Sequence, residues 1–568
     1  YSTVYNGFAA RLTAAEVQAL RTSPLVVDVF ADEARKLNTV STPAFLGLST
    51  AGGVWSQTVA GLALKGEDII IGVVDSGIWP ESPSFADRIN GSTPVFGTGT
   101  LAYGPAPAGW NGSCVGGEGF TPATHCNNKL IGAQYFNAGF LASGLPKHWT
   151  EFFSPRDSVA GPNGHGGHGS HTASTAGGNS GAPVTLGGNY VGTASGIAPR
   201  ARVAAYKVCY TYVNAAAEDG TGSQNSCFTS DSVAAIDKAV SDGVHVINYS
   251  ISGSQTSVND PVEQAFLRAA NAGVFVAASA GNSGPAVAVA HVSPWLTTVA
   301  ASTHDRALSA NVALGNGASY TGASFNAVAL AAKPVIRAED AGLPGADATQ
   351  LRLCFLSPTV LDPAKVAGKV VVCTRGSNAR TDKSAAVKAA GGVGMVLADN
   401  GAGLVADVHS IPSVHVNAAD GAAIKTYAQA GGGTAAIGVY FNVGKPAPIM
   451  AGFSSRGPNA GDANMLKPDL TAPGVDIIAT VTPGLTNAER DAVSNGTLVP
   501  SPEWSSYQGT SMSSPHVAGL AALLRQMRPT WSPAAIKSAL MTSSMSTLND
   551  GLAAPQNGLL PWAQGAGH

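Results

Sequence analysis

The chain has 568 residues, more than one core usually holds, so several domains are expected. Hydrophobic residues make up 45% and charged ones 12%, which excludes a disordered chain. A net charge of −3 argues against nucleic-acid binding driven by phosphate attraction, and no apolar run reaches the ~18 residues that a membrane span needs.

The front, Tyr1-Ser2-Thr3-Val4-Tyr5, has no basic region followed by an apolar stretch, so no signal peptide is visible. A secreted protein whose front has been removed reads the same way. From about residue 67, apolar runs alternate with helix-like stretches. Asp68 to Val74 reads as a short buried strand, with Asp75 at its C-terminal end. Asn90-Gly91-Ser92, Asn111-Gly112-Ser113 and Asn495-Gly496-Thr497 are glycosylation triplets, a pattern common by chance. His168 opens a run of small residues, from Ser170 to Ala176, suited to close packing on a sheet. Val203–Val208 and Val244–Ser250 read as further buried strands. Between them Val233, Ile236, Ala239 and Val240 recur at helical spacing after Asp231, a candidate cap. Val274–Ala278 is another strand, followed by the turn Gly281-Asn282-Ser283-Gly284-Pro285.

Strand, helix, strand repeated predicts an α/β fold with a parallel sheet and crossover helices. Ligands of such sheets bind beyond the strand C-termini, where both Asp75 and Asn282 fall. After Ser511, residues Val517, Leu520, Ala521, Leu524 and Met527 share one helical face. Ser511 then sits at a helix N-terminus, with Pro515 expected in the first turn.

The six cysteines neighbour one another as Cys114 with Cys126, Cys209 with Cys227, and Cys354 with Cys373. None lies in a CxxC, which argues against zinc. Six cysteines allow 15 connectivities; local pairing is the expectation, and six buried thiols the alternative. Bridges would place the protein in an oxidising compartment.

Three words carry chemistry. They are Gly72-Val73-Val74-Asp75-Ser76-Gly77, Gly167-His168-Gly169-Ser170-His171, and Gly509-Thr510-Ser511-Met512-Ser513-Ser514-Pro515-His516. A serine hydroxyl is a poor nucleophile until an adjacent base takes its proton. A histidine supplies the base and a carboxylate orients it. The chain order Asp, His, Ser differs from His, Asp, Ser of chymotrypsin types and Ser, Asp, His of α/β-hydrolases. It is the subtilisin order, and the surrounding words resemble those of the subtilisin-like serine proteases, the subtilases. Ser511 is not in a GxSxG, because position 513 is serine, which argues against an α/β-hydrolase esterase.

The resemblance covers nearly the whole chain and is closest to the plant-type group. It implies a subtilisin-like α/β catalytic core and a secreted, extracellular endopeptidase. In it Ser511 is the nucleophile, His168 the base and Asp75 its orienting partner, with Asn282 as oxyanion donor beside the Ser511 N–H. Ser250-Ile251-Ser252-Gly253 matches the segment that pairs with extended substrate in relatives; an ordinary strand end is the alternative. His171 and His516 are expected to pack or hydrogen-bond, and His165 to lie in a solvated loop. Phe453-Ser454-Ser455-Arg456-Gly457-Pro458 and Lys467-Pro468-Asp469-Leu470-Thr471-Ala472-Pro473-Gly474 are further family landmarks, read as tight turns.

Residues 330–445 interrupt the alternation and resemble a protease-associated domain, a small β-rich insertion. The catalytic domain then spans 39–329 and 446–568. Residues 1–38, with Gly7-Phe8-Ala9-Ala10-Arg11-Leu12-Thr13 and Val26-Val27-Asp28-Val29-Phe30, resemble the C-terminal part of an inhibitor propeptide. By that resemblance Arg35-Lys36-Leu37-Asn38 would occupy the cleft. The chain stops at Gly565-Ala566-Gly567-His568, where plant-type relatives continue into a fibronectin-like domain, so a truncated C-terminus is expected. Partners are protein or peptide substrates and the chain's own propeptide; neither nucleic acid nor membrane is expected. Monomer and homodimer both stay open. No cofactor and no required metal are predicted, since Asp and Glu are sparse in the relevant loops. A binding protein on a dead protease fold and a latent zymogen are the competing readings.

Overall fold

In the computed structural model the described residues are 12–23, 25–26, 42–160, 166–217, 221–552 and 556–568. The chain divides into two compact units, Tyr1–Asn38 and Thr39–His568. In the first, Ala14–Arg21 is a helix closed by a capping box. The Thr13 hydroxyl accepts from the Glu16 N–H, and the Glu16 carboxylate reaches back to the Thr13 N–H. Arg35 to Asn38 and His165 lie outside the described residues.

The second unit is built on a seven-stranded parallel sheet. Strand β1 is Ile70–Asp75, β2 Leu130–Tyr135, β3 Arg202–Lys207, β4 Val246–Tyr249, β5 Phe275–Ser279 and β6 Thr297–Ser302. Helix α1, His168–Gly177, precedes β3; α2, Thr229–Asp242, and α3, Pro261–Asn271, flank β4. The strands are continuous apolar runs because both faces are covered. Alternate side chains point to opposite faces. Ile71, Val73, Val203, Ala205 and Val246 join one core with Ala173 and Ala176 of α1. Ile70, Val74, Ala204, Tyr206 and Ile247 join the other with Ile236 of α2 and Phe266 of α3.

Asp231 is not the cap of α2. The helix begins at Thr229, with Phe228 at the cap position. The Asp231 carboxylate instead accepts from the N–H groups of Gly139 and Phe140, at 2.8 and 3.0 Å. It satisfies orphan donors at the start of the short helix Ala138–Ala142, a use that no local pattern reveals.

A second, mixed sheet of eight strands follows: β7 Arg306–Leu314, β8 Ser319–Ala323, β9 Leu330–Arg337, β10 Val370–Thr374, β11 Gly394–Ala398, β12 Ser413–Val416, β13 Thr434–Ile437 and β14 Phe441–Gly444. Helix α4, Arg380–Ala389, and helix α5, Ala418–Gln429, cover it. Most of its apolar side chains divide between two cores, one with Val387 of α4 and one with Ile424 of α5, while Leu308 and Ala323 join a third with Ile478 of the chain's return. This sheet begins at Arg306, upstream of the boundary expected at residue 330.

The chain then returns to the first sheet with β15, Leu470–Pro473, which pairs with β6. A hairpin follows, β16 Ile477–Val481 and β17 Glu503–Tyr507, then helix α6, Thr510–Met527. The order of the parallel sheet is β15-β6-β5-β4-β1-β3-β2. Strand β1 therefore has β3 on one side and β4 on the other, so the winding direction reverses there. That reversal opens a crevice at its C-terminal end. The three disulfides are Cys114–Cys126, Cys209–Cys227 and Cys354–Cys373, the local pairing expected from sequence. No helix among the described residues is long and apolar enough to cross a membrane.

Candidate active site

Asp75 is the last residue of β1 and is almost wholly buried. A buried carboxylate needs donors, and it has three. The Ser76 N–H and the His168 ring reach Oδ1 at 2.7 and 2.6 Å, and the Thr172 hydroxyl reaches Oδ2 at 3.2 Å. The carboxylate only accepts, so the His168 proton sits on Nδ1 and Nε2 is left as the acceptor. His168 is the first residue of α1, entered through Gly167 at φ 87°. Burial opposes its charge, but the Asp75 charge and hydrogen bond outweigh that and raise its pKa above the ordinary histidine value.

A second carboxylate lies beneath the pair, and sequence reading missed it. Asp157 is fully buried. It accepts from the hydroxyl of Ser76 at 2.9 Å, and from the N–H and hydroxyl of Ser170 at 3.0 and 2.9 Å. The Ser76 oxygen accepts in turn from the Gly169 N–H at 2.8 Å. One network thus ties the residue after Asp75 to the two residues after His168. Gly169 must be glycine, because a Cβ there would lie 2.3 Å from the Gly77 carbonyl oxygen. The serines and glycines of the two words carry that signal; the carboxylate, on a distant loop, does not.

Ser511 is the second residue of α6. Its N–H has no carbonyl four residues back to bond, so it is free to act as a donor. Its Oγ donates to the Ser250 carbonyl at 3.2 Å, and the Ser250 hydroxyl donates to the Ser511 carbonyl at 2.8 Å. Pro515 explains the second bond. It lies beyond the first turn, not within it, and lacks the N–H that would have claimed the Ser511 carbonyl.

Asn282 follows β5 through Gly281, at φ 98°. Its Oδ1 accepts from the N–H and hydroxyl of Thr510, at 2.9 and 3.0 Å. That fixes the amide, leaving both Nδ2 protons for another acceptor. The Thr510 hydroxyl also accepts from the Gly281 N–H at 3.1 Å. Thr510, the neighbour of Ser511, is thus the residue that orients Asn282.

His171 and His516 do not belong to this group. His171 donates to the Ile477 carbonyl at 2.8 Å and stacks on Tyr507 at 4.7 Å. Burial lowers its pKa to about 3. His516 bonds the Met512 carbonyl at 2.7 Å, and burial lowers it to about 4.

Asp75, His168, Asn282 and Ser511 line one cleft of about 1300 Å³. Ser250, Ile251 and Ser252 line it too. Gly253 does not; it backs onto the ring of His291. The second sheet's unit supplies part of the wall through Arg380, Thr381 and Asp382 at the start of α4, and Asp407. Arg380 and Asp407 are themselves ion-paired. Among the described residues, no group of three or more His, Cys, Asp or Glu could hold a metal ion.

The subtilase family model matches residues 66–567, and the peptidase inhibitor I9 model matches residues 1–38. The chain belongs to the subtilase family. Its relatives include three subtilisin-like proteases of Arabidopsis thaliana, each 41% identical. SBT1.6 aligns over all of this chain and 70% of its own length, SBT1.7 over all and 71%, and SBT1.4 over 97% and 66%. This subtilase therefore spans about two thirds of the length of these relatives. Among solved structures, the psychrophilic subtilisin-like protease Apa1 from Pseudoalteromonas sp. AS-11 covers 89% of this chain and 91% of its own. The identity is 18% and the TM-score 0.34, a likeness too loose to add to the family match.

Proposed function

We propose that this subtilase is a secreted serine endopeptidase that hydrolyses peptide bonds through an acyl-enzyme on Ser511. The Ser511 hydroxyl turns from the Ser250 carbonyl to His168 Nε2, gives up its proton and attacks the peptide carbonyl. Asp75 holds the ring in the tautomer that leaves Nε2 basic and stabilises the imidazolium that forms. The carbonyl oxygen becomes an oxyanion between Asn282 Nδ2 and the Ser511 N–H. His168 then protonates the leaving amine. Water enters, passes its proton to His168 and cleaves the ester, restoring Ser511.

The observation that carries this reading is the 2.6 Å bond from His168 to the buried Asp75, in the cleft that Ser511 lines. The test is intact-mass labelling with a fluorophosphonate. Wild type should take one adduct and Ser511→Ala none. An unlabelled wild type, after removal of residues 1–38, would overturn the reading in favour of a binding role.

Three further assignments go with it. Residues 330–445 are a protease-associated domain that narrows access for substrate, supported by Arg380, Thr381 and Asp382 on the cleft wall. Residues 1–38 are the enzyme's inhibitor, supported by the I9 match; limited proteolysis should raise activity. Asn90, Asn111 and Asn495 are all exposed, as glycosylation in a secretory route requires. Size-exclusion chromatography of the intact chain decides between monomer and homodimer.

A further inference from the structure

Beside the cleft lies a buried pair with no part in the mechanism above. His291 follows the Asn282 turn, and Glu263 lies in the first turn of α3. Both side chains are wholly inaccessible to solvent. His291 Nδ1 meets Glu263 Oε1 at 2.7 Å, and its Nε2 meets the Ile251 carbonyl oxygen at 2.9 Å. The carbonyl can only accept, so Nε2 carries a proton. The second oxygen of Glu263 accepts from the Ser293 N–H at 3.2 Å. Burial pushes the Glu263 pKa upward, but the bond and charge of His291 and the Ser293 bond bring it below its usual value. The ring is thus hydrogen-bonded at both nitrogens.

The backbone of His291 grips the same segment. Its N–H donates to the Ser254 carbonyl at 2.8 Å. The residue sits at φ 60°, a left-handed conformation that is uncommon outside glycine and is held here by its surroundings. The rings of Tyr249, perpendicular to it, and of Phe266, tilted, close around the His291 ring at 5.5 and 6.1 Å between centroids. The ring lies so close under Gly253 that a Cβ there would fall 2.1 Å from Cε1. Residues 251–254 are therefore clamped from beneath at three points: the Ile251 carbonyl, the Gly253 Cα and the Ser254 carbonyl.

The upper side of that segment is open. Among the described residues, no hydrogen bond engages the main chain of Ser252 or Gly253. Ser252 lines the cleft wall, with Gly253 next to it, and backbone groups left unpaired there accept an added strand, which an extended peptide supplies. Such pairing depends on the carbonyl and amide directions of a segment outside any strand of the sheet. Both members of the pair are buried, so removing one leaves the other without its partner away from water.

We propose that His291, held by Glu263, is a positioning residue that fixes the main chain of Ile251–Gly253 for pairing with the substrate residues preceding the scissile bond. This rests on the endopeptidase reading. A substrate that pairs along the segment should depend on His291; one too short to reach it should not gain from it.

The test compares kcat/KM on a tetrapeptide anilide with kcat/KM on a single-residue ester, and measures fluorophosphonate labelling in each protein. Three variants are used. His291→Asn keeps a donor near Glu263 but is too short for the Ile251 carbonyl. His291→Gln places its amide near the position of Nε2. The double variant Glu263→Gln/His291→Leu removes both bonds without leaving a buried carboxylate unpaired. The anilide-to-ester ratio should fall about tenfold in the Asn and double variants, as expected when one or two hydrogen bonds are weakened, mainly through KM. His291→Gln should recover most of it. A wild-type ratio in His291→Asn or in the double variant, with labelling retained, overturns the positioning role and leaves the endopeptidase reading standing. Equal losses on both substrates also overturn it, since they mark general damage. A wild type that takes no label overturns the endopeptidase reading, and the positioning role falls with it.

Discussion

His168 keeps its proton to higher pH than a free imidazole because Asp75 bonds Nδ1. Only the neutral ring acts as a base. On the endopeptidase reading, activity should therefore be present at high pH and be lost as pH falls through a value above the ordinary one of about 6.5. The acid limb of the pH profile of kcat/KM should show this, and Asp75→Asn should move the limb downward while lowering kcat. A limb below pH 6 in wild type would contradict the Asp75–His168 assignment. Asn282→Ala should lower kcat by about 10²–10³-fold with little change in KM, the size of loss that subtilisin itself shows when its oxyanion-hole asparagine is removed. The residues in these predictions were legible in sequence, since each sits in a short word of fixed composition. Asp157, Thr172 and Thr510 were not singled out. Their roles depend on which neighbours the fold brings within 3 Å or so, and an aspartate in a loop carries no mark of that.

The two helices that begin at the chemistry, α1 and α6, pack against each other and on one face of the sheet. Their small residues set the distance. In α6 a Cβ at Gly519 would lie 2.5 Å from Cβ of Ile197 and 2.9 Å from the Ala176 carbonyl oxygen. Gly519→Ala should therefore destabilise by about 1–3 kcal/mol, despite its better helix propensity, because both neighbours are buried. Urea denaturation measures this; a stabilised variant would show that the helices can separate freely. Element positions were legible from apolar runs and helical spacing. Their ends were not, as Asp231 and Pro515 show. Asp231 looks like a local cap and instead caps a helix 91 or 92 residues earlier in the chain. Pro515 looks like a first-turn residue because sequence does not reveal that the helix already starts at Thr510.

At the scale of the whole molecule, the joint between the two sheets carries a titrating group. Asp476 is half-buried and accepts from the Ala406 N–H at 3.2 Å. Burial is the main cause that raises its pKa to about 6. The folded state thus holds the proton more tightly than the unfolded chain. Its contribution is fully present below pH 4, and stability is lost as pH rises through about 6. Asp476→Asn keeps the acceptor, and Asn tolerates the φ of 54° found there. It should raise the melting temperature at pH 7.5, reflecting about 1–3 kcal/mol, and leave it unchanged near pH 4. A gain of equal size at both pH values would rule out titration as the cause. The Cys354–Cys373 bridge lies in a core of the second sheet. Replacing both residues by serine should cost about 3 kcal/mol, visible as earlier proteolysis within 306–444.

Sequence alone determined the residue types of the candidate catalytic group, their order and the parallel α/β class, and it made local cysteine pairs the expectation among 15 connectivities. Each is written in contiguous words or in short periodic patterns, which chemistry and chain geometry constrain locally. Tertiary structure alone decided which carboxylate lies under the His168 helix, which group takes the carbonyl that Pro515 leaves free at Ser511, and what holds Ile251–Gly253 from below. Those bonded partners are 13 to 261 residues apart in the chain. Burial and hydrogen-bond satisfaction select them, and both are properties of the folded whole.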